Sequence, residues 1–334
     1  MIFVTGGTGL VGAHILLELS NKGEDFIALR RESSSLLACE KIFKYYNAQE
    51  LFSKINWYNG DINDIPSLEE GMQKCDFVIH AAALVSFVSS DLEALRKINI
   101  EGTKNIVNIA LKFKIKKLAY VSSIATLGLY KKGALIDEDT PFIASKRISN
   151  YALSKYYAEQ EIWRGSAEGL DVVIVNPSVI LGPGEWQKGS SQIFQKIYNG
   201  LPFYSTGSTG YVDVSDVAEI LVKLLFSKFK NHRYILNAAN LTYQECFGRI
   251  ADGLNKPRAK YKVNNFLKEI AWRVEAVRYF ITGRRPLITK ETANSSMINK
   301  AYSNNKICKE LNFKFTDINV TIKKYCDWFI RDLN

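Results

Sequence analysis

Two short stretches carry residue types at spacings suited to chemistry. In YALSKYYAE (151–159) Tyr151 and Lys155 are four residues apart, so on a helix they share one face. A tyrosine hydroxyl titrates near 10, too high for ready proton exchange at neutral pH. An ammonium close by favours the phenolate and is expected to bring that value down. Near the N-terminus, FVTGGTGLVG (3–12) spaces Gly6, Gly9 and Gly12 three apart. Glycines let backbone N–H groups approach a pyrophosphate, and the helix end that follows favours the anion. Thr8, Leu10 and Val11 complete this turn and are expected to line the same cradle. A hydroxyl to hold a substrate oxygen is supplied by YVSSIATLG (120–128), where Ser122 and Ser123 are the candidates. The combination points to an enzyme that works with a nicotinamide dinucleotide.

The choice of dinucleotide turns on the end of FIALRR. An Asp or Glu there holds a ribose 2′-hydroxyl, as NAD requires. Arg30 instead suits a 2′-phosphate through a charge-assisted contact. NADP(H) is therefore the expected cofactor, with NAD(H) next. The alternative is that Arg30 and Arg31 are a solvated strand end.

The elements that must position these residues are legible as alternation. Strands are expected near 2–5, 25–30, 55–58, 76–81, 117–122 and 171–175, with helices between, the first over 10–22. That pattern predicts an α/β fold, a Rossmann-type doubly wound parallel sheet with a smaller, helix-rich C-terminal substrate lobe. Past Pro177, residues 178–210 are rich in Gly, Ser and Pro and read as a pocket wall. The division expected is 1–177 plus about 211–240 for the dinucleotide domain. Residues of about 178–210 and 241–334 would then form the substrate lobe. Trp186 in that loop either stacks on a flat substrate or packs the lobes together. NFLKEIAWRVEAVRYFI (265–281) is amphipathic and is expected to bury its apolar face in the pocket or core, ahead of a membrane or dimer contact.

Composition narrows the function classes. The chain has 334 residues, 47% hydrophobic, with net charge +10. It holds no apolar run of membrane-spanning length, and its first apolar stretch reads as a strand, not a leader. Cys39, Cys75, Cys246, Cys308 and Cys326 are scattered without a CxxC pair. Free thiols, a cytoplasmic setting and no metal site are expected. Lysines are densest at KFKIKK (112–117), which reads as a solvated helix end and not as a nucleic-acid surface. Positive potential also attracts anionic cofactors or substrates. His14 and His80 are expected to be structural. With His232 they are the three histidines of the chain, and no HExxH or Ser-His-Asp order is present, against a zinc protease or hydrolase.

These strings together resemble the extended short-chain dehydrogenase/reductases, the NAD-dependent epimerase/dehydratase superfamily, over residues 1–227 and more loosely beyond. The resemblance implies that Ser123, counted back from Gly128, is the catalytic serine, Tyr151 the acid/base and Lys155 its partner. It further implies Asp61 and Ile62 at the adenine, and Ala81, Ala82 and Ala83 of VIHAAA beside the cofactor with Asn99. Pro177 and Val179 of NPSVILGPG would pass the nicotinamide, and YVDVSDVAE would return to the sheet. The chain looks most like the dihydroflavonol reductase and 3β-hydroxysteroid dehydrogenase group. SKxxAE, AALVSF (82–87) and the tail strings RRPLITKE and YSNNKICKELNF carry that likeness. Val85, Ser123 and Trp186 are the expected substrate contacts. Sugar-nucleotide epimerases more often show an acidic residue in place of Arg30 and Gly in place of Ala152. The implied activity is reduction of a ketone on a small organic molecule, or oxidation of the alcohol. The alternatives are a nucleotide-sugar epimerase or dehydratase with tightly bound NAD, and a non-catalytic NADP-binding regulator. A homodimer would fit family habit.

Overall fold

The computed structural model describes residues 1–128, 133–143, 148–286 and 288–333, so Leu287 of the RRPLITKE string lies outside the described residues. The central sheet holds β1 (Ile2–Thr5), β2 (Phe26–Arg30), β3 (Asn56–Asn59), β4 (Phe77–His80) and β5 (Lys117–Val121). Outside it, β6 (Leu135–Ile136) pairs with a distant strand described below. β7 (Val172–Pro177) and, past β8 (Val179–Leu181), β9 (Phe203–Tyr204) and β10 (Ser208–Asp213), β11 (His232–Leu236) complete the sheet. Its order is β11-β7-β5-β4-β1-β2-β3, with every pairing parallel. The chain reverses its direction of winding between β1 and β4, so a crevice opens beyond the carboxyl ends of those strands.

Alternate strand residues explain why both faces are covered. Ile2 and Val4 join one buried cluster with the helices Leu10–Asn21 and Val214–Phe226, while Phe3 joins the other with Gly102–Lys112 and Asn150–Ala167. Val173 and Val175 divide from Val172 and Ile174 in the same way. A side-chain period of two on a sheet with helices on both sides requires apolar residues at every position. The six expected strands are present within a residue or two, and β11 adds a seventh.

Beyond β7, β8 and β10 run parallel and β12 (Ala239–Thr242) closes a small sheet against β10. Two further pairs, β9 with β13 (Tyr261–Lys262) and β6 with β14 (Ala301–Tyr302), tie the later segments on. One segment departs from the expected division. The helix Asn305–Leu311 packs on β11, and its Ile307 lies in the cluster of the central sheet.

Two further expectations meet the structure differently. Lys117 of KFKIKK is not solvated. It is 7% exposed and its ammonium donates to the carbonyls of Leu224, Ser227 and Phe229. It thereby closes the negative end of the helix Val214–Phe226. The helix Asn265–Thr282 is not core, since none of its eighteen residues, all described, is buried. The five cysteines are free thiols. Among the described residues no helix is long and apolar enough to cross a membrane.

Candidate active site

The glycine turn is built by close backbone approach. Gly6 has φ +77°, and a Cβ there would fall 2.6 Å from the Ala81 carbonyl carbon and from the Ala82 nitrogen. A Cβ at Gly12 would fall 2.0 Å from the Gly6 oxygen. The end of β1, the end of β4 and the first helix therefore meet backbone to backbone. The Gly9 N–H donates to the Gly6 carbonyl at 3.0 Å, and the helix starts at Gly9 with no side-chain cap. No side chain competes with an anion for the N–H groups of its first turn. Thr8, Leu10 and Val11 sit half-buried around Gly9. This cradle fits a dinucleotide pyrophosphate.

Arg30 pairs with Asn59 across β2 and β3, and its Nε donates to the Asn59 side-chain oxygen at 3.1 Å. The guanidinium is thereby held at the sheet end, while Arg31 is exposed. Asp61 accepts from the Asn63 backbone at 2.8 Å, and Ile62 is buried where a Cβ on Gly102 would strike it. Ala83 is exposed beyond β4, Pro177 is buried at the end of β7, and Val179 is half-buried in β8.

A polar row crosses the sheet beneath the crevice. Register places Thr5 beside His80 and His80 beside Tyr120. The Thr5 hydroxyl lies 2.7 Å from His80 Nδ1, and His80 Nε2 lies 2.9 Å from the Thr103 hydroxyl. Thr103 gives its one proton to the Asn99 carbonyl at 2.6 Å. It can then only accept from His80, so the network assigns the proton to Nε2. The Lys155 ammonium donates to the Tyr120 hydroxyl at 2.6 Å and the Val121 carbonyl at 2.8 Å. Asn99 sits in a π-helical turn (Arg96–Glu101) and bonds Leu84 through both amide atoms and Ser154 through its nitrogen. It so ties the loop after β4 to the helix of Tyr151.

Burial moves the titration of this row. His80 is pushed down to about 3 by desolvation, with Lys155 adding repulsion, and His14 falls to about 4 through desolvation. Unfolded imidazole titrates near 6.5. A group held below its unfolded value contributes stability above 6.5 and loses it as pH falls toward the folded value. Thermal unfolding measured against pH is therefore expected to show a destabilisation setting in below 6.5. The slope is about 1.4 kcal/mol per pH unit for each histidine. The variant His80→Gln should lose its share of that slope; an unchanged slope would contradict a neutral His80.

Tyr151 and Lys155 lie one turn apart on the helix Asn150–Ala167, which Ser149 caps through the Ala152 N–H at 3.1 Å. Ser122 and Ser123 follow β5 and point apart. Ser123 stands next to Tyr151, and Ser122 donates to Glu159 at 2.5 Å. Of the two serine candidates the structure places Ser123 against the tyrosine. Phe87 packs its ring edge to face on Tyr151, centroids 5.5 Å apart. The expectation that Lys155 lowers the tyrosine pKa is not what the structure shows. Burial raises the Tyr151 value, opposed by the neighbouring Ser123 hydroxyl. Lys155, 1% exposed, is itself lowered to about 7 by desolvation, with Glu159 opposing.

Several site residues carry no sequence signal of their own. Glu159, 1% exposed, accepts from Ser122, from Thr126 at 3.0 Å and from Asn176 at 2.9 Å through one oxygen. Its other oxygen accepts from Trp163 at 3.4 Å and Arg233 at 3.2 Å. Spacing puts Glu159 one turn beyond Lys155, but nothing local announces Arg233 from β11. Phe87 and Tyr120 lie in quoted strings, yet only packing shows their contacts. Val85 is 56% exposed on the loop after β4. Trp186 does not stand free to stack on a substrate, and the contacts that enclose it lie within the later segments. It is buried between Phe194 and Phe329 and donates to Asp332 at 2.5 Å.

Comparison with known proteins agrees with this geometry. A profile of the NAD dependent epimerase/dehydratase family matches residues 2–239. A Synechocystis sp. protein provisionally named a dihydroflavonol 4-reductase is 32% identical over 98% of this chain and 94% of its own. The crystal structure of gox2253 superposes with a TM-score of 0.82 at 27% identity, covering 99% of this chain and 98% of its own. A Thermus thermophilus UDP-glucose 4-epimerase crystallised with NAD superposes at 0.74 and 20% identity, over 98% and 97% of the two chains, a likeness of fold. With its glycine cradle, polar row and Ser-Tyr-Lys grouping on one sheet edge, the chain belongs to the NAD dependent epimerase/dehydratase family and is an NAD(P)-dependent oxidoreductase of the extended short-chain dehydrogenase/reductase type.

Proposed function

We propose that the protein reduces a ketone of a small organic substrate with NADPH, or oxidises the corresponding alcohol. The observation that carries this reading is the contact of Ser123 with Tyr151, one helical turn from Lys155, at the carboxyl edge of the sheet next to the glycine cradle. A bound nicotinamide dinucleotide supplies the hydride. Ser123 and Tyr151 hold the substrate oxygen by two hydroxyl hydrogen bonds, and Tyr151 passes it the proton. Lys155 is anchored to Tyr120 and Val121 and orients the nicotinamide ribose. Phe87 covers the tyrosine and, with Val85, gives the substrate an apolar contact. The glycine turn holds the pyrophosphate. Asp61 and Ile62 flank the adenine, Ala81, Ala82, Ala83 and Asn99 follow the nucleotide along β4, and Pro177 and Val179 border the nicotinamide. The dinucleotide domain comprises 1–177 with about 211–240, and the remainder, apart from the helix Asn305–Leu311 on β11, shapes the substrate pocket.

Preference for NADP(H) rests on Arg30, which Asn59 steadies. Titration of the purified protein with both reduced cofactors is expected to show exchangeable binding with NADPH tighter. Arg30→Ala should weaken NADPH by about ten- to a hundredfold, the range of a lost charge-assisted hydrogen bond, and leave NADH nearly unchanged. NAD retained through purification without exchange, or equal loss for both cofactors, would overturn the assignment and favour an epimerase-type cycle.

A further inference from the structure

The helix Asn265–Thr282 is turned the wrong way round for a water-facing helix. Its outward residues include Phe266 (74% exposed), Val274 (59%), Val277 (58%), Phe280 (91%) and Ile281 (74%). At 100° per residue these fall within one stripe. The inward side mixes half-buried Leu267, Ala271 and Trp272 with polar groups: Lys268 bonds Asn294, Glu275 pairs with Arg278, and Tyr279 reaches Ser90. An apolar stripe, interrupted by the exposed Arg273, therefore looks away from the protein on one element.

Charge identifies the occupant. Residues 260–290 hold Lys260, Lys262, Lys268, Arg273, Arg278, Arg284, Arg285 and Lys290 against Glu269 and Glu275. An apolar stripe bordered by Arg and Lys is what lies in the headgroup plane of an anionic bilayer. A second copy docking by two-fold symmetry would instead bring the two basic segments together. We propose that this helix docks the protein on an anionic lipid surface. The docked helix adjoins the active-site loop, because Arg285 pairs with Asp91 at 3.2 Å and Asp91 accepts from Ser86 at 2.6 Å, next to Phe87.

The test is flotation of the full chain with phosphatidylcholine vesicles and with vesicles containing phosphatidylserine. The result expected is recovery with the phosphatidylserine vesicles, weakened by salt, and poor recovery with phosphatidylcholine alone. The variant Phe266→Asp with Phe280→Asp should lose binding about tenfold or more. Both side chains are exposed, and an unchanged thermal melt checks that the fold persists. Absence of binding to either vesicle overturns the proposal. So does equal binding by the variant, or a concentration-dependent dimer of the wild type that the variant abolishes.

Discussion

Replacing Tyr151 by Phe is expected to lower kcat by about 10²- to 10⁴-fold, the range for removing a positioned proton donor. The ring remains, so its packing against Phe87 and the fold should persist. The glycine cradle is not touched, so NADPH titration should give a dissociation constant within about twofold of wild type, since nothing that binds the pyrophosphate has changed. Steady-state rates with a ketone panel, measured beside that titration, separate the two. Wild-type-like turnover in the variant would end the assignment of Tyr151 as acid/base. Matched losses of binding and turnover would place it in cofactor retention instead.

The second large effect is on stability. Glu159 is a buried carboxylate with five side-chain donors: Ser122, Thr126, Asn176, Trp163 and Arg233. Glu159→Ala removes the acceptor of the Ser122 hydroxyl and the Trp163 ring N–H, and Arg233, itself only 21% exposed, loses its counter-charge. Breaking one side of a buried pair destabilises by about 3–5 kcal/mol, a fall in Tm of roughly 5 °C for a chain of this size. Glu69→Gln, which removes only an exposed bridge to Lys112, should stay within about 1 kcal/mol. Differential scanning calorimetry of the two variants checks this, and similar small losses would show that the cluster is not coupled as drawn. Glu159 also holds the Lys155 pKa up against burial. Its loss should let the ammonium deprotonate at lower pH, shifting any alkaline limb of kcat/KM downward in a variant that remains folded.

The parts legible in the chain are those governed by local rules. Gly6, Gly9 and Gly12 announce a turn because only a missing Cβ permits the approach of Ala81 to Gly6. Tyr151 and Lys155 announce a shared face because helix geometry alone aligns residues four apart. The strands are readable because a sheet covered on both sides favours unbroken apolar runs, as in VVIV at residues 172–175. The tail resisted reading for the same reason: a helix pattern gives its apolar face but not what that face meets. Trp186 and the helix Asn265–Thr282 are both apolar in sequence, yet one is enclosed by Phe194 and Phe329 and the other faces outward.

By itself the sequence determined the order of strands and helices, the glycine cradle and the spacing of the tyrosine and lysine, all set by contacts within a few residues. Tertiary structure alone decided which serine meets Tyr151, that Thr5, His80 and Tyr120 share one rung, that Glu159 gathers Arg233 from β11, and that burial raises the Tyr151 pKa while lowering that of Lys155. Each of these depends on register between strands distant in the chain and on how completely water is excluded, quantities that no local pattern contains.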